Sequence, residues 1–99
     1  MTFEKRPCVY ILASRRNGTL YVGITSDLAR RIEQHRSGAV SSFTRRYSVY
    51  ILVYVEFHDS LESAMLREKQ IKKWRRAWKL ELIECDNSLW SDLFEVQAI

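Results

Sequence analysis

Five residues stand out for the chemistry their side chains allow: Tyr10, Tyr21, Arg31, His35 and Glu68. Two phenols, a guanidinium, an imidazole and one carboxylate form a set suited to phosphodiester hydrolysis. A lone carboxylate can hold one hard divalent cation such as Mg²⁺, which keeps several of its waters and needs only one or two protein ligands. An arginine adds a fixed positive charge for the developing pentacovalent anion. A tyrosine has an ordinary pKa of about 10, so a neighbour such as the imidazole, or the field of the metal, must activate it before it takes a proton from water. Each residue also has a plainer explanation. Arg31 and Glu68 would make an internal salt bridge, His35 would be a satisfied core histidine, and tyrosines are common on strands. Their coincidence favours a site.

The elements that must position these groups follow from the apolar pattern. Residues 8–13 (CVYILA) and 20–24 (LYVGI) read as a β-hairpin around the turn pair Asn17-Gly18. Any register whose paired numbers have an odd sum puts Tyr10 and Tyr21 on the same face, provided no bulge intervenes. A two-residue turn at Asn17-Gly18 would pair residues whose numbers sum to 35, and a four-residue loop over 14–17 would set the tyrosines directly opposite, so the face is expected and the separation stays open. A helix is expected over 27–37, capped by Ser26 and stopped by Gly38. Leu28, Arg31, Ile32 and His35 share its inward stripe, about 100° wide, so two polar groups sit where apolar ones should meet the sheet.

Residues 38–47 (GAVSSFTRRY) read as a polar loop, and 49–57 (VYILVYVEF) as the strongest strand signal, expected at the centre of the sheet. A capping box from Asp59 to Glu62 predicts a second helix to about residue 75. Its buried side is Leu61, Ala64, Met65 and Ile71, with Glu68 inside that arc and Lys69, Lys72, Lys73 and Arg76 forming an adjoining basic face. A third helix over 77–84 adds Trp78, Leu82 and Ile83. Trp90, Leu93 and Phe94 are expected to clasp the tail onto the core.

The chain has 99 residues, 46% of them hydrophobic, which suffices for one compact core and one domain and excludes disorder. Its net charge of +4 is unevenly divided: the segment from Glu81 onward carries −5 and the rest +9. Residues 67–79 hold seven basic side chains and a single acid, Glu68. Arg45, Arg46, Lys69, Lys72, Lys73 and Arg76, with Arg15 and Arg16 in the hairpin turn, would grip a phosphate backbone, although for each one alone a solvated surface position is the plainer explanation. No helix-turn-helix or zinc finger accompanies them, so strand state or shape would matter more than sequence. Cys8 and Cys85 fit neither a disulfide framework nor a zinc site and read as reduced thiols. No apolar run approaches the roughly 18 residues of a membrane span, and residues 1–7 lack a signal-peptide core, so a cytoplasmic protein without membrane contact is expected.

The sequence resembles the GIY-YIG nucleases. The first motif stands as Val9-Tyr10-Ile11, with valine in place of the leading glycine. The second stands as Tyr21-Val22-Gly23, followed by Ile24-Thr25-Ser26-Asp27-Leu28, Arg30-Arg31-Ile32 and His35. Ala64 and then Arg67-Glu68-Lys69-Gln70-Ile71-Lys72-Lys73-Trp74 look like the family's metal-binding helix. The likeness runs from residue 9 to about residue 90 and is closest to the small stand-alone bacterial members.

The resemblance implies an α+β fold, a three-stranded antiparallel sheet flanked by helices in one domain over 1–99, and cleavage of DNA with one Mg²⁺ or Mn²⁺. It casts Tyr10 as the residue that orients or deprotonates the attacking water and Tyr21 as its partner at the phosphate. Arg31, eight residues after Gly23, matches the essential arginine in preference to Arg30. His35 becomes a proton relay, Glu68 the metal ligand and Asn87 a supporting active-site asparagine. A structure-selective endonuclease acting on branched or single-stranded DNA in repair or recombination is the expected function. The alternative is a nucleic-acid-binding module on a nuclease scaffold with little turnover. DNA against RNA, a protein partner or targeting factor, the oligomeric state, and shielding of the basic face by the acidic C-terminal segment all stay open at this point.

Overall fold

Strand β1 (Cys8–Ala13) is the middle of a three-stranded antiparallel sheet, between β2 (Leu20–Thr25) and β3 (Ile51–Phe57). The computed structural model describes residues 5–37 and 42–98. All six residues of β1 are buried because helices cover both faces of the sheet. Val9, Ile11 and Ala13 point into a core with Ala64, Ile71, Ile83 and Trp90. Cys8, Tyr10 and Leu12 point the other way, against Leu28, Ile32, Val49 and Leu52. That alternation is the period of two that a strand imposes. It also explains how Val9 replaces a glycine: its side chain enters the first core, away from Tyr10.

The helices follow in the order α1 (Leu28–Arg36), α2 (Ser42–Tyr47), α3 (Leu61–Lys73), α4 (Arg76–Asp86) and α5 (Leu93–Ala98). The expected α+β class and sheet are those observed. No helix among the described residues is long and apolar enough to cross a membrane. Cys8 is buried and Cys85 exposed, both as free thiols, and burial pushes the Cys8 thiol up to about 11.

Several local expectations need correction. The central strand is β1 rather than 49–57, since β3 pairs on one side only and leaves its C-terminal half partly exposed. A bulge places Val53 opposite no β1 residue, because Ile11 pairs with Tyr54 and Leu12 with Leu52. The hairpin closes through a four-residue loop, Arg15 to Gly18, flanked by a Ser14–Thr19 hydrogen bond of 3.0 Å, with Asn17 at a φ of 59°. Asn17 therefore takes the left-handed position, and the pairing slips by two residues from that of a two-residue turn at Asn17-Gly18, which keeps every side chain on its face. The resulting register sets Tyr10 opposite Gly23 and Leu12 opposite Tyr21, so the tyrosines share a face diagonally.

Helix α1 is capped by Asp27 rather than Ser26, its carboxylate accepting from the Arg30 amide at 3.3 Å. Helix α3 is capped by Ser60, which accepts from the Ser63 amide at 3.1 Å, so the Asp59 capping box does not form. Leu61 and Met65 are exposed rather than buried, and only Ala64 and Ile71 of the expected stripe reach the core. Helix α3 ends at Trp74, where the backbone turns extended for two residues, so Arg76 opens α4 instead of extending the α3 basic face. In α4 Ile83 is buried and Trp78 exposed. Trp90, at a φ of 58°, enters the first core, while Leu93 and Phe94 pack against the second, as the clasp required.

Candidate active site

The expected loop over 38–47 contains a helix from Ser42 to Tyr47, and this helix supplies a site residue that pattern reading missed. Thr44 is fully buried, its carbonyl accepts from the Val49 amide at 2.9 Å, and its Oγ1 lies 3.3 Å from His35 Nδ1. Only the tertiary contact with α1 marks it. A lone threonine between Phe43 and Arg45 carries no local signal. The expected stop at Gly38, and residues 38–41 of the expected loop, lie outside the described residues.

His35 is held from both sides. Its Nε2 is 2.9 Å from the Tyr10 hydroxyl, and the imidazole edge faces both phenol rings, with centroids 5.8 Å from Tyr10 and 5.1 Å from Tyr21. Burial and then the nearby Arg31 charge hold His35 below the ordinary imidazole range, so it is neutral at pH 7. A neutral ring has one donor and one acceptor nitrogen. In the tautomer protonated at Nδ1, the Tyr10 hydroxyl donates to Nε2 and Nδ1–H donates to Thr44 Oγ1, the arrangement in which the phenol can pass its proton to the ring. Burial, then Tyr21, pushes the Tyr10 phenol well above its ordinary range, while Arg31 pulls it down and Glu68 raises it further. Tyr10 is thus a neutral phenol in the resting protein.

Gly23 is the second missed residue. A methyl group there would lie 2.6 Å from both Cζ and the hydroxyl of Tyr10 and 3.0 Å from Tyr21 Cε1. The glycine is therefore the gap through which the two phenols approach each other, with ring centroids 6.3 Å apart. A glycine inside a strand is itself the signal for such a close approach. Because the Tyr10 ring is fully buried, it cannot swing aside. Gly23→Ala is expected to lower stability by about 1–3 kcal/mol through overpacking against the phenol, which thermal unfolding checks.

Arg31 is half-buried and lines a polar cavity of about 300 Å³ with Thr25, Ser26, Asp27, Arg30 and Gln34. Its charge reaches both Tyr10 and His35. Among the described residues it makes no ion pair, so the salt bridge to Glu68 that would be its plainer explanation is absent. Glu68 pairs instead with Lys72 one turn on, at 3.0 Å, with side-chain exposures of 16% and 53%. The Glu68 carboxylate is shielded enough to be costly and open enough to be reached.

Its donor chemistry fits a hard divalent cation that keeps its waters and borrows phosphate oxygens. It does not fit an all-protein cage, because no group of three or more His, Cys, Asp or Glu residues among those described could hold a metal.

The remaining expected residues divide. Lys69, Lys72 and Lys73 are exposed on α3, and Arg45 and Arg46 on α2. Arg76 donates to the Asn17 and Gly18 carbonyls at 2.8 and 2.6 Å, which docks the hairpin turn, with Arg15 and Arg16, beside α4. Asn87 is buried and fully engaged: its Nδ2 donates to the Val53 and Ser91 carbonyls at 3.1 and 2.9 Å, and its Oδ1 accepts from the Ser91 amide at 3.0 Å. It ties the C-terminal segment to the β3 bulge. Asp92 and Glu95 of that segment pair with Arg36 at 2.6 and 3.1 Å, so these two acids lie against α1 rather than over the α3 lysines.

A buried tyrosine–histidine pair lies beside an arginine with no ion pair among the described residues, on a three-stranded sheet between helices, and the fold is that of a nuclease-type domain. Residues 6–81 match the GIY-YIG catalytic domain, and the chain belongs to that family. It is 42% identical over 77 residues to a UPF0213 protein of Syntrophus aciditrophicus, covering 77% of this chain and 87% of that one. It is 41% identical over 75 residues to the UPF0213 protein CPE1444 of Clostridium perfringens, covering 76% and 80%. Among solved structures it is similar to the solution NMR structure of the UPF0213 protein BH0048 of Bacillus halodurans, with a TM-score of 0.56, 31% identity, and coverage of 92% and 96%.

Proposed function

We propose that this chain is an endonuclease that hydrolyses phosphodiester bonds of DNA with one divalent cation, Mg²⁺ or Mn²⁺, at Glu68. The reading rests on one observation above the others: the Tyr10 hydroxyl sits 2.9 Å from a neutral imidazole, within the fields of an arginine that has no ion-pair partner among the described residues and of a carboxylate. When bound at Glu68, the cation supplies charge neutralisation at the phosphate and at the leaving oxygen.

The chain's own residues do the rest. Arg31 offers its guanidinium to a non-bridging oxygen and stabilises the charge that grows there in the transition state. Tyr10 accepts a proton from the attacking water as it passes its own to His35 Nε2, which avoids a free phenolate in a buried place. The incoming phosphate offsets the Arg31 charge that depresses His35, so the imidazole becomes a better proton acceptor once substrate is bound. Thr44 holds the ring in the orientation that keeps Nε2 against the Tyr10 hydroxyl. Thr44→Val is expected to lower the rate about 10-fold, the worth of one hydrogen bond, with Thr44→Ser restoring most of it. A change in the acid limb of the pH–rate profile in the valine variant alone distinguishes loss of the hydroxyl from a packing defect.

Selectivity for DNA structure over sequence is part of the same reading, because the exposed cations of α2 and α3 suit phosphates and no base-reading module accompanies them. A place in repair or recombination stands or falls with that selectivity. Purified protein should nick DNA in Mg²⁺ or Mn²⁺, show a preference within a panel of branched, nicked, single-stranded and duplex substrates, and lose activity in EDTA. Nicking retained in both Arg31→Ala and Glu68→Ala would trace the activity to a contaminant and overturn the reading.

The Lys72 contact favours one rival, a nucleic-acid-binding module with little turnover, because it already occupies a Glu68 oxygen. That rival predicts salt-sensitive binding that survives Glu68→Ala and no metal-dependent cleavage.

A further inference from the structure

A row of aromatic rings leads out of the catalytic pocket to the surface. From the buried His35 it passes to Tyr21 at 5.1 Å, to Phe43 at 6.2 Å and to Tyr47 at a further 4.9 Å between centroids. The last two rings lie in the open, Phe43 41% and Tyr47 46% exposed, so neither is accounted for by the core. A cavity of about 280 Å³ lined by Leu20, Tyr21, Val22, Phe43, Lys72 and Lys79 lies against the row. Consecutive residues of β2 take part in it, which sets it along the free edge of that strand. A second cavity, of about 490 Å³, is lined by Phe43, Arg45, Arg46 and Tyr47, with the Arg46 guanidinium 5.5 Å over the Tyr47 ring.

Rings and cations both line this path, with Arg45, Arg46 and Lys72 exposed and Lys79 half-buried, and an occupant must satisfy both. An apolar peptide would give Arg45, Arg46 and Lys79 no counter-charge and leave Lys72 with Glu68 alone. An intact duplex would offer phosphates to the cations but keep its base faces stacked away from the rings. A single strand answers both needs, with phosphates on the cations and unpaired bases on the aromatic faces.

We infer that Tyr21, Phe43 and Tyr47 form a stacking platform for the unpaired nucleobases of a single-stranded segment next to the scissile phosphate, and that Phe43 sets a preference for single strands over duplex. The inference rests on the nuclease reading only for the position of that phosphate. The stacking itself does not require turnover.

The test is equilibrium binding of the full chain, by fluorescence anisotropy in EDTA, to oligothymidylate, oligouridylate and a duplex, each about 10 units long, a span within the reach of one single-strand-binding domain. Phe43→Ala is expected to weaken single-strand binding between about 5- and 150-fold, the span reported for loss of one base–aromatic stack, and to change duplex binding less than about 2-fold. Phe43→Trp should restore single-strand affinity. A 2-aminopurine base in the strand should be quenched by wild type and not by Phe43→Ala, with matching thermal unfolding curves showing that the variant is folded. Comparison of the thymidylate and uridylate arms identifies which nucleic acid the platform serves.

Equal loss on single strand and duplex, no loss on either, or failure of wild type to prefer the single strand overturns the inference. A wild type that cleaves DNA while Phe43→Ala binds normally rejects the platform and keeps the nuclease. A wild type that never cleaves, but loses its single-strand preference on Phe43→Ala, does the reverse.

Discussion

Glu68→Gln is expected to lower metal-dependent cleavage about 1,000-fold while leaving the folded protein nearly as stable as before. The size of the catalytic loss follows from the role of a lone carboxylate: charge stabilisation of several kcal/mol at the transition state is forfeited when its only protein ligand loses its charge, and about 4 kcal/mol corresponds to three powers of ten. The small effect on stability follows from the contact the carboxylate makes. Its ion pair with Lys72 is a single helix-turn pair whose lysine is 53% exposed, and such pairs contribute about 0.3–0.5 kcal/mol. Glutamine keeps the shape and still accepts a hydrogen bond from Lys72. Cleavage rates across an Mg²⁺ titration, with urea unfolding alongside, check both halves. A variant that loses several kcal/mol of stability would instead make Glu68 a structural residue.

The sequence made the site residues legible where helix and strand periodicity alone decide their placing. Tyr10 and Tyr21 share a face because a strand alternates with a period of two, and the shift from a two-residue turn to a four-residue loop changed their spacing without changing that face. His35 and Arg31 turn inward because the α1 stripe has only one side that can meet the sheet. Thr44 was not legible. Its helix is six residues long, lacks a strong apolar stripe, and is fixed by the contact of the threonine hydroxyl with an imidazole from another element. Such tertiary contacts outweigh local propensity in short helices.

The order of the strands departs from the apolar pattern for a related reason. Residues 49–57 are the most apolar stretch, but apolar content reports burial of faces and not pairing of edges. β3 is covered on its faces over Leu52, Val53 and Tyr54 and still pairs on one side only. The α3 stripe failed at Leu61 and Met65 because the helix meets the sheet through the narrow line of Ala64 and Ile71, with the small alanine drawing it close. Glu68 benefits from that narrowness. A broader buried stripe would have sealed its carboxylate away from solvent.

The second large effect is expected at Arg31. Replacement by alanine should lower cleavage by about 100- to 1,000-fold, the range for loss of one preorganised donor at the growing charge, and should leave stability little changed because no ion pair among the described residues depends on it. The residual activity carries the sharper test. Arg31 is a positive charge beside an imidazole, and a positive neighbour disfavours the cationic form, so it holds His35 low.

Cleavage needs His35 neutral to receive the Tyr10 proton, hence kcat/KM, which reports the free enzyme, falls as pH drops through the His35 pKa, and in wild type that limb lies below the ordinary imidazole value of about 6.5. Removing the charge lets His35 rise, and the acid limb of Arg31→Ala should move toward higher pH. Arg31→Lys keeps the charge but loses the planar fork that meets two oxygens at once, so its limb should stay near that of wild type while its rate falls about 10-fold. Identical limbs in the alanine and lysine variants would mean that the Arg31 charge does not tune the relay, and the link between the guanidinium and the Tyr10–His35 pair would have to be abandoned.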